Sequence, residues 1–312
     1  MKNNLKDSVL NDLLFPITAT DFLNSHWPEQ PLFIPAQSAK LQKIFSIPEL
    51  KTVEDLVKSR TQKVRACLPD FDDEYSSIQL EPKDALKAFN NNMTLVFDQM
   101  QNQNSVISEM LANLTDELGL MIGESGQNLC QARSMAYATP EWCGTRLHFD
   151  ANANFIIQIS GSKKWTLAKN NSVNYPTERF TTGSLEMPMA LEKQCHDQLL
   201  DEAPADAVEY LMQPGCVLFV PRGYWHETTT DENSLSLNFT FSQPTWADVF
   251  SKSIHALVLK NPEWRKLCVG IGQNADISQK TAALKQLDIL MKKTLVEISN
   301  TSSEELLAEG GF

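Results

Sequence analysis

The stretch from residue 128 to residue 243 is a succession of short apolar runs, and it restricts the possible folds more than any other part of the sequence. Glycine, proline, asparagine or aspartate separates the runs from one another. Many short strands with frequent turn residues are typical of a β-sandwich or barrel, and here we expect a jelly roll, which is a double-stranded β-helix. The runs cover residues 129–137, 145–150, 154–159, 163–168, 187–191, 207–212, 216–220, 226–230 and 234–241.

The connections between these runs differ in length and character. Gly161-Ser162 separates two runs and predicts a two-residue hairpin turn. Residues 170–186 and 192–205 are instead long and polar. We expect these two segments to be lids or substrate-binding loops, because long loops in compact domains commonly carry function.

Helical patterns flank the β block on both sides, so the expected fold class is mainly β with flanking α. Residues 1–127 predict a mixed α/β segment that packs on the barrel and extends it, residues 128–243 the jelly-roll core, and residues 244–312 a C-terminal helical region. Two apolar stripes in that last region must be covered by the barrel, by each other or by a second copy. A homodimer through the C-terminal helices is therefore one hypothesis. The stripes are Trp246, Val249, Phe250, Ile254, Leu257 and Val258, and Leu284, Leu287, Leu290, Met291, Leu295 and Ile298.

Charge and cysteine spacing limit the partners and the compartment. The chain has 39 acidic and 27 basic side chains and a formal charge of -12, which argues against a nucleic acid or an anionic membrane as partner. We find no signal-peptide pattern at the N-terminus, and no stretch approaches the roughly 20 apolar residues of a membrane span. None of the 6 cysteines forms a C-x-x-C pair. We therefore expect free thiols in a reducing compartment, the cytoplasm.

The pattern His148-Phe149-Asp150 begins to define a candidate metal site. Residues two apart on a strand project from the same face, so the imidazole and the carboxylate can point at one spot. His226 follows another predicted strand and would complete a set of two imidazoles and one carboxylate, which is typical of non-haem ferrous oxygenases. His-x-Asp alone is a weak signal that also fits two surface polar residues. We interpret the remaining histidines as structural: His26, His196 and His255.

A lysine lies where it could meet an acidic ligand. Lys163 begins the strand after the predicted hairpin, and Lys164 follows it directly. Strand alternation places the two side chains on opposite faces, so one of them should point inward. A buried ammonium group could pair with a carboxylate, and the alternative for Lys163 is a solvated hairpin lysine.

Several motifs in this part of the chain resemble one family. The chain is similar to JmjC/cupin-type oxygenases of the cupin-4 branch, which includes bacterial ribosomal-protein hydroxylases, and to asparaginyl-hydroxylase-like JmjC proteins. The N-terminal segment from Phe22 to Ile34 also resembles the entry segment of that family. The matching motifs are Thr145-x-x-His148-Phe149-Asp150, Asn154-Phe155-Ile156-Ile157-Gln158-Ile159-x-Gly161-x-Lys163-Lys164-Trp165, Pro221-Arg222-Gly223-x-Trp225-His226 and Ser234-Leu235-Ser236-Leu237-Asn238-Phe239.

The resemblance implies specific cofactors and site residues. It implies Fe(II) with 2-oxoglutarate as co-substrate, and His148, Asp150 and His226 as the metal ligands and catalytic residues. It also implies that Lys163 and Thr145 hold the distal carboxylate of 2-oxoglutarate. The polar residues that it places near the co-substrate are Asn154 and Asn238.

The reaction that the resemblance implies is hydroxylation of a protein or peptide side chain, with release of succinate and CO2. Two alternatives stay open. The same chemistry could act on a tRNA base or a small metabolite, although the acidic charge disfavours a nucleic acid. The chain could also be a metal-binding cupin that does not turn over 2-oxoglutarate.

Overall fold

The computed structural model describes residues 8–36, 40–68, 76–120 and 131–312. These residues divide into two compact units, one made of residues 8–120 and 131–242 and the other of residues 243–312. The strands are β1 Leu32–Ile34, β2 Val64–Cys67, β3 Ser77–Leu80, β4 Leu95–Phe97, β5 Gln131–Thr139, β6 Gly144–Phe149, β7 Ala153–Ser160, β8 Lys163–Ala168, β9 Phe180–Thr181, β10 Val208–Met212, β11 Val217–Val220, β12 Trp225–Thr229 and β13 Ser234–Ser242. The helices are α1 Val9–Leu14, α2 Ala19–Ser25, α3 Gln42–Phe45, α4 Val53–Ser59, α5 Pro82–Phe89, α6 Ser105–Glu117, α7 Met189–Gln194, α8 Trp246–Leu259, α9 Ile277–Ser299 and α10 Ser303–Glu309, with short 3-10 turns at Pro48–Leu50, Met100–Asn102 and Pro262–Arg265.

The first unit is built on two antiparallel sheets. The larger has the order β1-β11-β7-β13-β5-β4-β2-β3, and the smaller has the order β10-β8-β12-β6-β9. Neighbouring strands in the order are mostly distant in sequence, as in a jelly roll. The predicted fold class, a jelly-roll core with flanking helices, is thereby confirmed. Strands β1 to β4, from the N-terminal segment, belong to the larger sheet.

One predicted strand is wrong, and one predicted loop contains a strand. The run 187–191 leads into helix α7 and is not a strand. An apolar run of this length fits either structure, and its periodicity cannot decide between them. The predicted loop 170–186 contains β9, which pairs with β6. Residues 129 and 130 of the first predicted run lie outside the described residues.

Aromatic side chains fill the core on the outer face of the larger sheet. The rings of Phe155 and Phe219 lie 4.8 Å apart, and Phe22 of α2 packs edge-on against Phe219 at 5.1 Å. All three side chains are completely buried. Each buried phenylalanine stabilises the fold by roughly 1.5–3 kcal/mol relative to an exposed one. The cluster therefore packs α2 against β7 and β11 of the larger sheet.

The second unit, residues 243–312, is helical. Capping boxes start its three helices, with Thr245 and Asp248 at the start of α8 as one example. The indole Nε1 of Trp264 donates to Thr294 Oγ1 of α9 at 3.0 Å. Much of the predicted apolar stripe on α9 is exposed in the single chain, and its exposed members are Leu284, Leu287, Met291 and Leu295. Among the described residues, no helix has both the length and the apolar content that crossing a membrane requires.

Candidate metal centre and co-substrate cavity

Two histidines meet across the smaller sheet. His148 of β6 is the register partner of His226 of β12, and the centroids of their rings are 4.1 Å apart. Asp150 lies two residues after His148, just beyond the end of β6. Ligand atoms from the three side chains all lie within 4.8 Å of one another. The strand register therefore brings His226 to His148 and Asp150, from which it is far apart in the sequence.

Hydrogen bonds define which tautomer both imidazoles adopt when they are neutral. Nδ1 of His148 lies 2.6 Å from the carbonyl oxygen of Arg146, and Nδ1 of His226 lies 2.9 Å from that of Tyr224. A carbonyl oxygen only accepts, so each Nδ1 must carry the proton. In the neutral ring Nε2 then has the free lone pair, which is the form in which histidine binds metal.

Burial favours the neutral state of a histidine. His148 and His226 are 5% and 4% exposed. The pKa of His148 lies well below its usual value, first because burial removes the charged form from water and then because Arg179 and His226 repel a positive charge. Two neutral imidazoles and a carboxylate form a donor set that fits a divalent transition metal such as Fe(II).

Asp150 has a partner that sequence reasoning missed. Arg179 Nη1 donates to Oδ1 of Asp150 at 3.1 Å, and Oδ2 of the same carboxylate lies 3.7 Å from Nε2 of His226. Arg179 comes from the segment predicted as a polar loop. No periodic signal could have identified it, because the adjacent strand β9 is only 2 residues long.

Lys163 points inward, and Lys164 points to solvent. Lys163 is 5% exposed, and its Nζ donates to Thr139 Oγ1 at 2.7 Å. Lys164 instead forms a surface ion pair with Glu209 at 2.9 Å. Burial lowers the pKa of Lys163 to about 8, against a smaller opposing effect of Cys143. Among the described carboxylates, none pairs with the ammonium group of Lys163.

A single cavity of about 640 Å³ connects these groups. Every residue that the sequence singled out for the site lines it. Thr145 Oγ1 lies 2.9 Å from Thr228 Oγ1, and Asn154 Oδ1 accepts a 2.7 Å hydrogen bond from Thr240. The predicted residues in the lining are Thr145, His148, Asp150, Asn154, Lys163, His226 and Asn238, and the charged residues that were not predicted are Arg65, Asp98, Arg133, Glu178 and Arg179.

Comparison with known proteins identifies the domain. The model of the JmjC domain family matches residues 109–249. The uncharacterized protein YxbC of Bacillus subtilis (strain 168) is 28% identical over 96% of this chain and 90% of its own length. Ribosomal oxygenase 2 of Rattus norvegicus is 25% identical over 88% of this chain. The match covers 58% of that relative, so this chain spans little more than half of it.

Solved structures show the same fold. YcfD, a ribosomal oxygenase from Escherichia coli solved with cobalt and succinic acid, superposes with a TM-score of 0.53. It is 14% identical to this chain, and the match covers 95% of this chain and 70% of YcfD. Residues 109–249 therefore match the JmjC domain family, the fold is that of the YcfD structure, and the predicted resemblance is confirmed.

Proposed function

We propose that this protein is an Fe(II)- and 2-oxoglutarate-dependent oxygenase that hydroxylates a protein side chain. One observation carries the proposal: a buried pair of histidines and a carboxylate share a cavity with a buried lysine. The metal ligands lie near one part of the cavity lining and the ammonium group near another. A dicarboxylate that also carries a keto group can bind the metal through its keto-acid end and the ammonium group through its other carboxylate.

The metal would be held by Nε2 of His148, Nε2 of His226 and the carboxylate of Asp150. Bound Fe(II) supplies dioxygen activation, with 2-oxoglutarate as the reductant that loses CO2 and becomes succinate. One oxygen atom of O2 enters succinate and the other enters a C–H bond of the substrate, so the reaction balances. The carbonyl partners would hold both imidazoles in the tautomer that carries the proton on Nδ1, and in the orientation that turns each Nε2 toward the metal.

Lys163 would hold the distal carboxylate of 2-oxoglutarate. A buried ammonium group without a counter-ion is costly, and a carboxylate ligand would remove much of that cost. The hydroxyl of Thr145 would hydrogen-bond the same carboxylate. The amides of Asn154 and Asn238 line the cavity and would contact the co-substrate.

Relatives support a protein as the substrate. Their names include ribosomal oxygenase 2 and a bifunctional lysine-specific demethylase and histidyl-hydroxylase, NO66, of Drosophila. We therefore propose a protein substrate and take ribosomal proteins as the first class to test. The formal charge of -12 suits a basic protein and disfavours tRNA. Free thiols at Cys195, Cys216 and Cys268 support a cytoplasmic location.

Turnover with candidate substrates tests this proposal. Purified protein with Fe(II), ascorbate and 2-oxoglutarate is incubated with ribosomal proteins, with tRNA or with small metabolites. We expect succinate formation above background, and a protein that gains one oxygen atom, in the first mixture alone. Oxidation of tRNA or of a metabolite instead would replace the protein substrate with the corresponding alternative. Metal binding with no succinate in any mixture would favour a metal-binding cupin without 2-oxoglutarate turnover.

We also propose that the helical region 244–312 forms a homodimer interface. Exposed apolar side chains on α9 support this, because such a stripe is unfavourable in water. Light scattering after size exclusion should give a dimer mass for the wild type and a monomer mass for a Leu287→Glu, Leu295→Glu variant. A monomer mass for the wild type at every concentration would contradict the proposal.

A further inference from the structure

Strand register places an arginine opposite the metal-binding carboxylate. In the pairing of β6 with β9, His148 lies opposite Thr181 and Phe149 opposite Phe180. The next antiparallel position pairs Asp150 with Arg179. The two side chains form a cross-strand ion pair with Nη1 3.1 Å from Oδ1, and their exposed fractions are 8% for Arg179 and 19% for Asp150. Opposite charges at facing positions of adjacent strands stabilise the pairing.

The segment that carries Arg179 is anchored to the same turn as Asp150. Arg222 donates from Nε to the carbonyl oxygen of Pro176 at 2.7 Å and from Nη2 to that of Tyr175 at 2.8 Å. The next residue, Gly223, donates its N–H to the carbonyl oxygen of Asp150 at 2.9 Å.

Glycine is required at position 223. Its φ is +84°, and a Cβ there would lie 2.6 Å from Cδ of Pro176. The turn at Arg222 and Gly223 therefore contacts both the segment that leads to Arg179 and the backbone of Asp150. The arginine and the carboxylate are therefore held relative to each other by their backbones as well as by their charges.

We propose that Arg179 is a positioning residue that makes Asp150 a one-oxygen metal ligand. Oδ1 is occupied by the guanidinium group, which leaves Oδ2 turned toward Nε2 of His226. An octahedral metal with three protein donors keeps three open positions. A keto acid bound through two atoms and one dioxygen fill all three, so a carboxylate that bound through both oxygens would block one of them. This last step rests on the proposed function; the effect of Arg179 on metal binding does not.

Two effects of the arginine on metal affinity oppose each other, so their balance can be tested. A cation near the site repels a divalent metal, and removing it would tighten binding. A hydrogen bond that orients a ligand strengthens binding, and loss of such a partner typically costs 10–100-fold in metal affinity. We expect the orienting effect on metal affinity to exceed the repulsion, because Arg179 already holds the carboxylate toward the site before the metal binds.

The test is a titration of the metal-free full-length protein with Co(II), followed by visible absorption. Arg179→Ala should bind Co(II) about 10–100-fold more weakly than the wild type. Arg179→Gln, which keeps an N–H donor but no charge, should lose less. Lys164→Ala is the control: Lys164 is exposed, forms a surface ion pair with Glu209, and should leave the affinity unchanged. Thermal denaturation of each metal-free variant checks that it is folded.

Two further measurements distinguish a failure of this inference from a failure of the proposed function. The Co(II) spectrum of Arg179→Ala should change shape, because the second carboxylate oxygen can then coordinate, and 2-oxoglutarate should bind the Co(II)-loaded variant more weakly. Equal or tighter Co(II) binding by a folded Arg179→Ala, with an unchanged spectrum, would overturn the role of Arg179 alone. If wild-type Co(II) binding does not depend on His148, the proposed function itself fails.

Discussion

Lys163 should lower the stability of the protein when no co-substrate is bound, and replacing it with methionine should raise that stability. Burial lowers the pKa of Lys163 from 10.5 to about 8. That difference corresponds to about 3 kcal/mol of unfavourable free energy for the charged side chain. Methionine has a similar size but cannot donate to Thr139, a loss of about 1 kcal/mol. We therefore expect Lys163→Met to be about 2 kcal/mol more stable than the wild type near neutral pH.

The pH dependence of this gain has a definite sign. The pKa of Lys163 is lower in the folded protein than in the unfolded chain, so between about pH 8 and pH 10.5 the unfolded chain binds the additional proton. The contribution of this lysine to wild-type stability therefore rises with pH through that window, and the full penalty is present below it. The advantage of the methionine variant should shrink by about 2 kcal/mol between roughly pH 7 and pH 9.5.

Urea denaturation at the two pH values, followed by tryptophan fluorescence, measures both quantities. Lys164→Met is the matched control, because Lys164 is exposed and its surface ion pair is worth about 1 kcal/mol at most. Lys163→Met should also lose 2-oxoglutarate binding. That result would show that Lys163, which destabilises the folded protein, serves to bind the ligand. A variant less stable than the wild type near pH 7, or a gain of the same size at both pH values, would refute the reasoning.

Three other substitutions have expected outcomes. Gly144→Ala places a Cβ 1.8 Å from the carbonyl oxygen of Thr228. The clash should lower the free energy of unfolding by about 1–3 kcal/mol or more in urea denaturation. A variant as stable as the wild type would contradict the close contact between the backbones of β6 and β12. Phe219→Ala should cost about 3–5 kcal/mol in the same assay, and a loss under about 1 kcal/mol would show that the aromatic cluster is not the core. His226→Ala should remove bound metal after dialysis against Co(II), as measured by elemental analysis, and retention of one metal ion per chain would exclude this histidine as a ligand.

Most strands of the jelly roll could be predicted because their apolar runs are bounded by turn residues. The runs 163–168 and 234–241 differ from β8 and β13 by one residue at most. The inward orientation of Lys163 follows from strand alternation once the hairpin is placed. The run 187–191, which contains Pro188, leads into a helix, because a short apolar run fits a helix as well as a strand.

Long-range register is the part that the sequence could not supply. That His226 lies opposite His148 depends on the pairing of β12 with β6, which are separated by five other strands in the chain. The role of Arg179 depends on a two-residue strand with no periodic signal. The charged residues Arg65 and Asp98 reach the cavity because β2 and β4 extend the larger sheet from the N-terminal segment, which local patterns do not reveal.

Anaerobic titration of the protein with Fe(II) and 2-oxoglutarate tests the central claim most directly. The metal-bound keto acid has a charge-transfer band in the visible region. We expect a saturable band in the wild type, no band in His148→Ala, and a band that needs more 2-oxoglutarate in Lys163→Ala but not in Lys164→Ala. Metal binding without any 2-oxoglutarate-dependent band would contradict the account, and the chain would then be a metal-binding cupin of another kind.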